Sequence, residues 1–309
     1  MKIALLGANG QLAFDLKRVL SGHEVVGFTR SDFDVTDHEA ARERLSAARP
    51  DAIINTTAFH NVDLCESEPG EAFGVNAIAV FHLAGLAKAL GARLVHISSD
   101  YVFDGISVEP YSEEAIPRPI SVYANSKLSG EYCVRSECEK HIVIRTCGLY
   151  GMAGSAGKGG NFVETMLRKA KEGEAIRVVD DQVVTPTPTA DLAGQVALLL
   201  GADQYGLFHC TAEGSCSWYE FARAIFELSG LNARLEPTNG SVRQTPARRP
   251  AYSVLDNARL KALGLNRMRH WRSGLANYLL EKHGVSGNGL QESVSRPAAI
   301  DVHARSRFE

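Results

Sequence analysis

Tyr123 and Lys127 stand four residues apart in the segment Val122-Tyr-Ala-Asn-Ser-Lys-Leu128. On a helix that spacing puts a phenol and an ammonium on one face, one turn apart. A cation within reach lowers a tyrosine pKa from about 10 by roughly 1–3 units. A phenol tuned in this way exchanges a proton with a carbonyl or an alcohol near neutral pH, worth about 10²–10⁴-fold in rate. Tyr-x-x-x-Lys is also an ordinary amphipathic pair, so its surroundings decide between the two readings.

The amino terminus is the first of these surroundings. Met1-Lys-Ile-Ala-Leu-Leu6 is an apolar run long enough for a buried strand. Gly7-Ala-Asn-Gly10-Gln11-Leu12-Ala13 follows, and then Phe14-Asp-Leu-Lys-Arg-Val-Leu20 with helical periodicity. Strand, glycine turn and helix form the phosphate-binding unit of a dinucleotide fold. Gly7 permits the tight turn, Gly10 lets backbone amides approach a pyrophosphate, and the helix N-terminus favours its charge. The spacing is G-x-x-G-x-x-A, with Ala13 small enough for close helix–strand packing. A second strand, His23-Glu-Val-Val-Gly-Phe28, runs out at Thr29-Arg30-Ser31, where the adenosine ribose belongs. An acidic residue there would favour NAD. Arg30 with the Ser31 hydroxyl can hold a 2′-phosphate instead, so NADP(H) is the preferred cofactor and NAD(H) the alternative. Asp34 and Val35 can border the adenine. Thr36-Asp-His-Glu39 reads as a capping box for the next helix.

The second surrounding is Arg93-Leu-Val-His-Ile-Ser-Ser99, a β-rich run that ends in hydroxyls. Ligands of open α/β sheets sit beyond the carboxyl ends of the strands, so Ser99 is placed to hydrogen-bond a substrate oxygen. Tyr123 comes 24 residues later, after an irregular, Pro-containing loop. A strand-end serine, a Tyr-x-x-x-Lys helix and a glycine-rich βα turn together are much rarer than any of the three alone.

The elements that must position these groups alternate. Strands are expected at 2–7, 23–29, 51–56, 93–99 and 141–147, and helices at 11–21, 37–48, 70–90 and 121–136, with Pro69 suited to a first helical turn. This is an α/β, doubly wound parallel (Rossmann) sheet, followed by a smaller C-terminal α/β substrate domain. Residues 1–150 form the nucleotide-binding domain. Residues 151–185 and 206–285 form the substrate domain, and the helix within 186–205 returns to the main sheet. In the second part a helix is read at Asn161–Ala170, a strand at Ile176–Asp180, and a helix from Ser217 with a capping box to Glu220. The aromatic residues of that last helix are read as core. Residues 286–309 read as a loose tail.

With 309 residues, 45% hydrophobic and 22% charged, the chain is an ordinary globular protein. Its net charge of −3 gives no reason to expect nucleic acid or an anionic membrane. No apolar run approaches the roughly 20 residues of a membrane span, and a cytoplasmic protein is expected. The six cysteines, at 65, 133, 138, 147, 210 and 216, have neither C-x-x-C nor zinc spacing, and no metal is assigned. His60, His82, His96 and His209 lie in apolar surroundings and read as core residues. Gly151-Met-Ala-Gly-Ser-Ala-Gly-Lys-Gly-Gly160 looks like a P-loop but lacks Ser or Thr after Lys158. It reads as a mobile loop able to act as a lid.

Further segments carry a family resemblance: Asp34-Val-Thr-Asp37, Ile54-Asn-Thr-Thr-Ala-Phe-His-Asn-Val-Asp63, Asn76-Ala77, and above all His96-Ile-Ser-Ser-Asp-Tyr-Val-Phe-Asp-Gly105. Tyr123-Ala-Asn-Ser-Lys-Leu-Ser-Gly-Glu131, Asn161-Phe-Val-Glu-Thr-Met-Leu167, Val179-Asp-Asp-Gln182, Pro186-Thr187 and Arg249-Pro250 add to it. Over residues 1–283 the chain resembles the dTDP-4-dehydrorhamnose reductases, within the extended short-chain dehydrogenase/reductases. The resemblance implies that Gly10, Gln11 and Leu12 contact the cofactor diphosphate, that Asp34 and Val35 lie on its adenine side, and that Thr57, Ala58 and Phe59 line it. It implies a sugar contact for Ser99, where the family commonly has Thr, and for Asp100. Tyr123 would be the proton donor, and Lys127 would hold the nicotinamide ribose. Asn161 and Arg249 would face the nucleotide half of the substrate, a guanidinium matching phosphate in geometry.

The chain departs from the family at Gly148, where a tryptophan often faces the sugar, and at Val184, usually a glycine. Some members bind a divalent cation with acidic residues at a dimer interface; Asp15 is near one such position, but the full set is not traceable, and a homodimer is left open. The implied partner is a small nucleotide-sugar substrate, and the implied reaction is NAD(P)H-dependent reduction of the C4 ketone of a dTDP-linked 4-keto-6-deoxyhexose. The alternatives are a related sugar-nucleotide epimerase or dehydratase, and a non-catalytic, reductase-like regulatory subunit of methionine adenosyltransferase.

Overall fold

Apolar runs become strands where both of their faces are covered by helices, and residues 3–6 are buried without alternation for that reason. The computed structural model describes residues 1–154, 160–240 and 245–285. Half of the expected lid, residues 155–159, and the expected tail lie outside the described residues. The first five strands are β1 (Lys2–Leu6), β2 (Glu24–Phe28), β3 (Ala52–Asn55), β4 (Arg93–Ser99) and β5 (His141–Thr146). Short strands follow: β6 (Leu149–Tyr150), β7 (Ile176–Val179), β8 (Val183–Val184) and β9 (Thr187–Pro188). After them come β10 (Gly206–His209), β11 (Cys216–Ser217) and β12 (Leu235–Thr238).

The main sheet runs β10-β5-β4-β3-β1-β2, every pair parallel. It is the expected doubly wound sheet, extended at one edge by β10. From β1 the chain winds first to β2 on one side and then to β3 on the other. The switch point therefore lies between β1 and β3, where such sheets open a ligand crevice.

The helices are α1 (Gln11–Val19), α2 (His38–Ala48), α3 (Val62–Ser67), α4 (Pro69–Phe73), α5 (Ala79–Leu90), α6 (Val122–Glu137), α7 (Phe162–Lys171), α8 (Thr189–Gly201), α9 (Trp218–Ser229), α10 (Ala258–Ala262) and α11 (Trp271–His283). Two expectations are corrected here. The N-cap of α2 is Asp37, whose carboxylate accepts from the Ala40 amide, while Thr36 is held by Asp34. The helix expected over 70–90 is broken by a π-turn at Gly74–Ile78 between α4 and α5, a distortion that turns Asn76 inward. The stretch Pro69–Leu90 also has the length and mean hydropathy (22 residues, 1.5) of a membrane span, contrary to the sequence reading. Its Ala72 is buried, and its Val80, Leu83, Ala84 and Ala87 pack in the core against β1, β3 and β4.

One core cluster joins Ile3, Leu5 and Ile54 of the sheet to Leu12 and Leu16 of α1 and to Leu192, Val196 and Leu199 of α8. A separate cluster, with Tyr150, Val163, Phe221, Trp271 and Leu275, holds α7, α9 and α11 together. Between α1 and α8, the Thr189 hydroxyl donates to the buried Asp15 carboxylate at 2.6 Å.

Candidate active site

At the carboxyl edge of the sheet a cleft of about 690 Å³ opens, within the range of sites for cofactor-sized ligands. Its walls begin at the β1–α1 turn. Gly7 has φ +77°, and a Cβ there would stand 2.8 Å from Thr56 Oγ1, so the turn excludes any side chain at this position. The Gly10 amide donates to the Gly7 carbonyl at 2.8 Å. Gly10 caps α1 without a side chain, which leaves the first amides of the helix for an anion. This cradle fits a nucleotide diphosphate. Beyond β2, Arg30 is 87% exposed and donates from Nε to Asp34 at 2.9 Å. Two bonds from Thr36, amide and hydroxyl, hold the Asp34 carboxyl below the usual range, with Arg30 adding to the effect.

The loop after β3 forms the next stretch of wall. Asn55 Oδ1 accepts from the Thr57 amide at 3.0 Å and from its hydroxyl at 2.6 Å. Asn76, fully buried in the π-turn, accepts from the Phe59 amide at 2.9 Å and donates to the Phe59 carbonyl at 3.1 Å. Its amide also donates to Ser126 Oγ at 2.9 Å, and Ser126 donates to the Tyr123 carbonyl at 2.8 Å. Asn76 thereby ties the Thr57–Phe59 loop to the helix that carries Tyr123. The sequence reading gave Asn76 no role; its signal was an amide inside an otherwise apolar helical run.

Helix α6 starts at Ser121, whose hydroxyl accepts from the Ala124 amide. That start aims Tyr123 and Lys127 at the end of β4. Tyr123 packs edge-on against Tyr101 with ring centroids 6.0 Å apart. Ser99 donates to Asp100 Oδ1 at 3.0 Å, accepts from the Tyr101 amide at 3.2 Å, and is hydrogen-bonded to the Tyr123 phenol.

The expectation of a lowered phenol pKa is corrected. Desolvation raises the Tyr123 pKa above its ordinary value of 10, and the Ser99 hydrogen bond only opposes that rise. Lys127 Nζ uses one of its three donors on the Ile97 carbonyl, at 2.7 Å. Burial brings the Lys127 pKa down to about 8, against a restoring pull from Glu131. Glu131 is itself buried and paired with Arg145 at 2.6 Å. Burial likewise raises the Asp100 carboxyl.

Of the residues singled out from the sequence, Gly7, Gly10, Gln11, Leu12, Arg30, Asp34, Val35, Thr57, Ala58, Phe59, Ser99, Asp100, Tyr123, Lys127 and Asn161 all line this one cleft. Arg249 does not. It pairs with Asp63 at 2.9 Å and contacts Thr245 and the Ala247 carbonyl. Asn161 caps α7 and donates to the Gly151 carbonyl at 3.1 Å and to Gln11 at 3.5 Å. His96 and His209 are buried, and desolvation keeps both neutral. His60 instead lines the cleft, and His82 stacks on His38 at the surface, with centroids 3.7 Å apart. Trp218 and Phe162 also line the cleft, which corrects the reading of the α9 aromatics as core alone.

Comparison with known proteins agrees with this architecture. The family model described as RmlD substrate binding domain matches residues 1–283. The spore coat polysaccharide biosynthesis protein SpsK of Bacillus subtilis is 39% identical, over 91% of this chain and 98% of its own length. A dTDP-4-dehydrorhamnose reductase of Streptomyces griseus is also 39% identical, over 87% of this chain and 90% of its own. The crystal structure of the Bacillus anthracis dTDP-4-dehydrorhamnose reductase in complex with NADP superposes with a TM-score of 0.87 at 36% identity, covering 91% of this chain and 99% of that one. The chain thus belongs to the dTDP-4-dehydrorhamnose reductase family, oxidoreductases built on the Rossmann fold.

Proposed function

We propose that this protein reduces the C4 ketone of a dTDP-linked 4-keto-6-deoxyhexose with NADPH, and that Tyr123 gives the proton. The observation that carries the reading is the meeting of Ser99, Tyr123 and Lys127 in the cleft that begins at the glycine turn. When bound, the reduced nicotinamide supplies a hydride to C4 and is oxidised. The carbonyl π bond breaks, and the C4 oxygen takes the phenolic proton. Burial favours the neutral phenol, so Tyr123 keeps its proton until the substrate oxygen becomes basic enough to take it. Lys127, one turn away, is cationic below about pH 8 and offsets the charge left on the phenolate. Ser99 and Asp100 orient the substrate oxygen. Gly7, Gly10, Gln11 and Leu12 hold the cofactor diphosphate, Asp34 and Val35 its adenine side, and Thr57, Ala58 and Phe59 its inner half. Arg30 is the group for a 2′-phosphate, released from Asp34 to take it. Asn161 faces the nucleotide half of the substrate.

The test supplies a dTDP-4-keto-6-deoxyhexose with NADPH and follows nicotinamide absorbance and the sugar formed. Stoichiometric loss of NADPH with appearance of the 4-hydroxy sugar is expected. Conversion of the sugar with no net NADPH consumption would point to an epimerase or dehydratase.

A further inference from the structure

We propose that Trp218, backed by Phe162, is the wall against which the apolar face and methyl group of the deoxyhexose stack, its indole edge filling the place beside Gly148. The inference rests on the reductase reading above and deepens it. In the sheet, Thr146 of β5 stands beside Ser99 of β4, so Gly148 lies two residues past the strand partner of the oxygen-binding serine. It has φ +55°, and a Cβ built on it would lie 3.4 Å from Trp218 Cη2 and 3.2 Å from Pro186 Cα. No large side chain fits at 148 with Trp218 in place. The indole edge reaches this spot from α9, seventy positions along the chain.

The indole is firmly positioned. Ser217 and Glu220 form a full capping box at the start of α9. The Ser217 hydroxyl also donates to Asp180, and the Trp218 amide donates to the Gln182 carbonyl at 3.3 Å. Phe162 flanks the indole at 4.8 Å between centroids, and its neighbour Asn161 touches both Gly151 and Gln11. Both rings are partly exposed, on the cleft side. A 6-deoxyhexose offers C–H groups and a methyl, which gain by leaving water against an aromatic face. The pyrophosphate gains nothing there.

A nicotinamide or a thymine ring could also stack on an indole, so the test separates the three. Trp271 is the other of the two tryptophans; Trp271→Phe therefore leaves Trp218 as the sole indole. Its emission is titrated with a dTDP-6-deoxyhexose, with dTDP alone and with NADP⁺ alone. A change with the sugar nucleotide that exceeds those with dTDP and NADP⁺ is expected. An equal change with dTDP, an equal change with NADP⁺, or none with the sugar nucleotide overturns the proposal. NADPH oxidation by the wild-type enzyme with the keto sugar is measured alongside: no oxidation sinks the reductase reading, whereas oxidation with a silent indole sinks only the wall. Should Trp271→Phe fail to fold, Trp218→Leu serves instead. It is expected to raise the keto-sugar KM about 10-fold or more and to leave the NADPH KM within about twofold; an unchanged sugar KM overturns the proposal.

Discussion

The end of the cleft at the glycine turn is made mainly of backbone, and the end at Trp218 mainly of side chains; in the proposed function these are its cofactor and substrate halves. On the first side, Gly7 turns the chain at φ +77°, Gly10 leaves the first amides of α1 unoccupied by any side chain, and a three-residue loop is clamped by Asn55 and Asn76. On the second side, Phe162 of α7, Val184 of β8 and Trp218 of α9 meet only in space, beside Gly148 of the β5–β6 link. Tyr123, Lys127 and Ser99 stand between the halves. Backbone recognition reads what all dinucleotides share, while a wall of side chains can be changed residue by residue without disturbing it. One end of a cleft built this way can change its ligand while the other keeps the same recognition.

Changes at the junction should have the largest effect. Tyr123→Phe is expected to lower kcat by about 10²-fold or more while NADPH affinity, measured by titration, stays within about twofold; full turnover would remove the proton-donor role. On the backbone side, Gly7→Ala forces a Cβ to 2.8 Å from Thr56 Oγ1 in a left-handed conformation. It should cost about 1–3 kcal/mol of stability in thermal unfolding and weaken NADPH binding. An unchanged melting temperature would mean that the turn is not tight.

A smaller effect separates burial from pairing at the junction. Lys127 has its pKa lowered to about 8, so the cation is present below that pH and lost as pH rises through it. The pH profile of kcat/KM should therefore decline above about pH 8, tending to about tenfold per unit. A flat profile to higher pH would show that the ammonium is not needed. The smallest effect belongs to the exposed rim. Arg30→Ala is expected to weaken NADPH by about tenfold, in line with one charged hydrogen bond, and NADH by much less. Equal losses for the two cofactors would remove Arg30 as a 2′-phosphate group.

The same contrast governs what could be read from the sequence. Five strands of the main sheet and the glycine turn are contiguous apolar runs and local spacings, and they are found where expected. Ser99, Tyr123 and Lys127 were legible because a strand end and a helix period fix where such residues point. The sixth strand, Gly206–His209, is four residues long and gave no separate signal; it forms because it can add to the free edge of β5. The π-turn went unread because the apolar pattern of 70–90 continues on both sides of it, with Asn76 the one polar side chain inside it. The raised Tyr123 pKa depends on burial, with the Asp100 charge adding to it, and no four-residue spacing contains either. Trp218 read as core because helical periodicity cannot tell a core face from a cleft face. Arg249 could be placed only by the fold, which sets it beside Asp63 from 186 positions away.

The most direct measurement of the central claim is the fate of the transferred hydrogen. NADPH carrying deuterium at the reactive C4 position of the nicotinamide ring would be supplied with the dTDP-4-keto-6-deoxyhexose, and the product examined by NMR. Deuterium at C4 of the sugar, one per NADPH consumed, is the predicted result. A product with no deuterium at C4, or turnover that leaves the labelled NADPH unspent, would contradict the account.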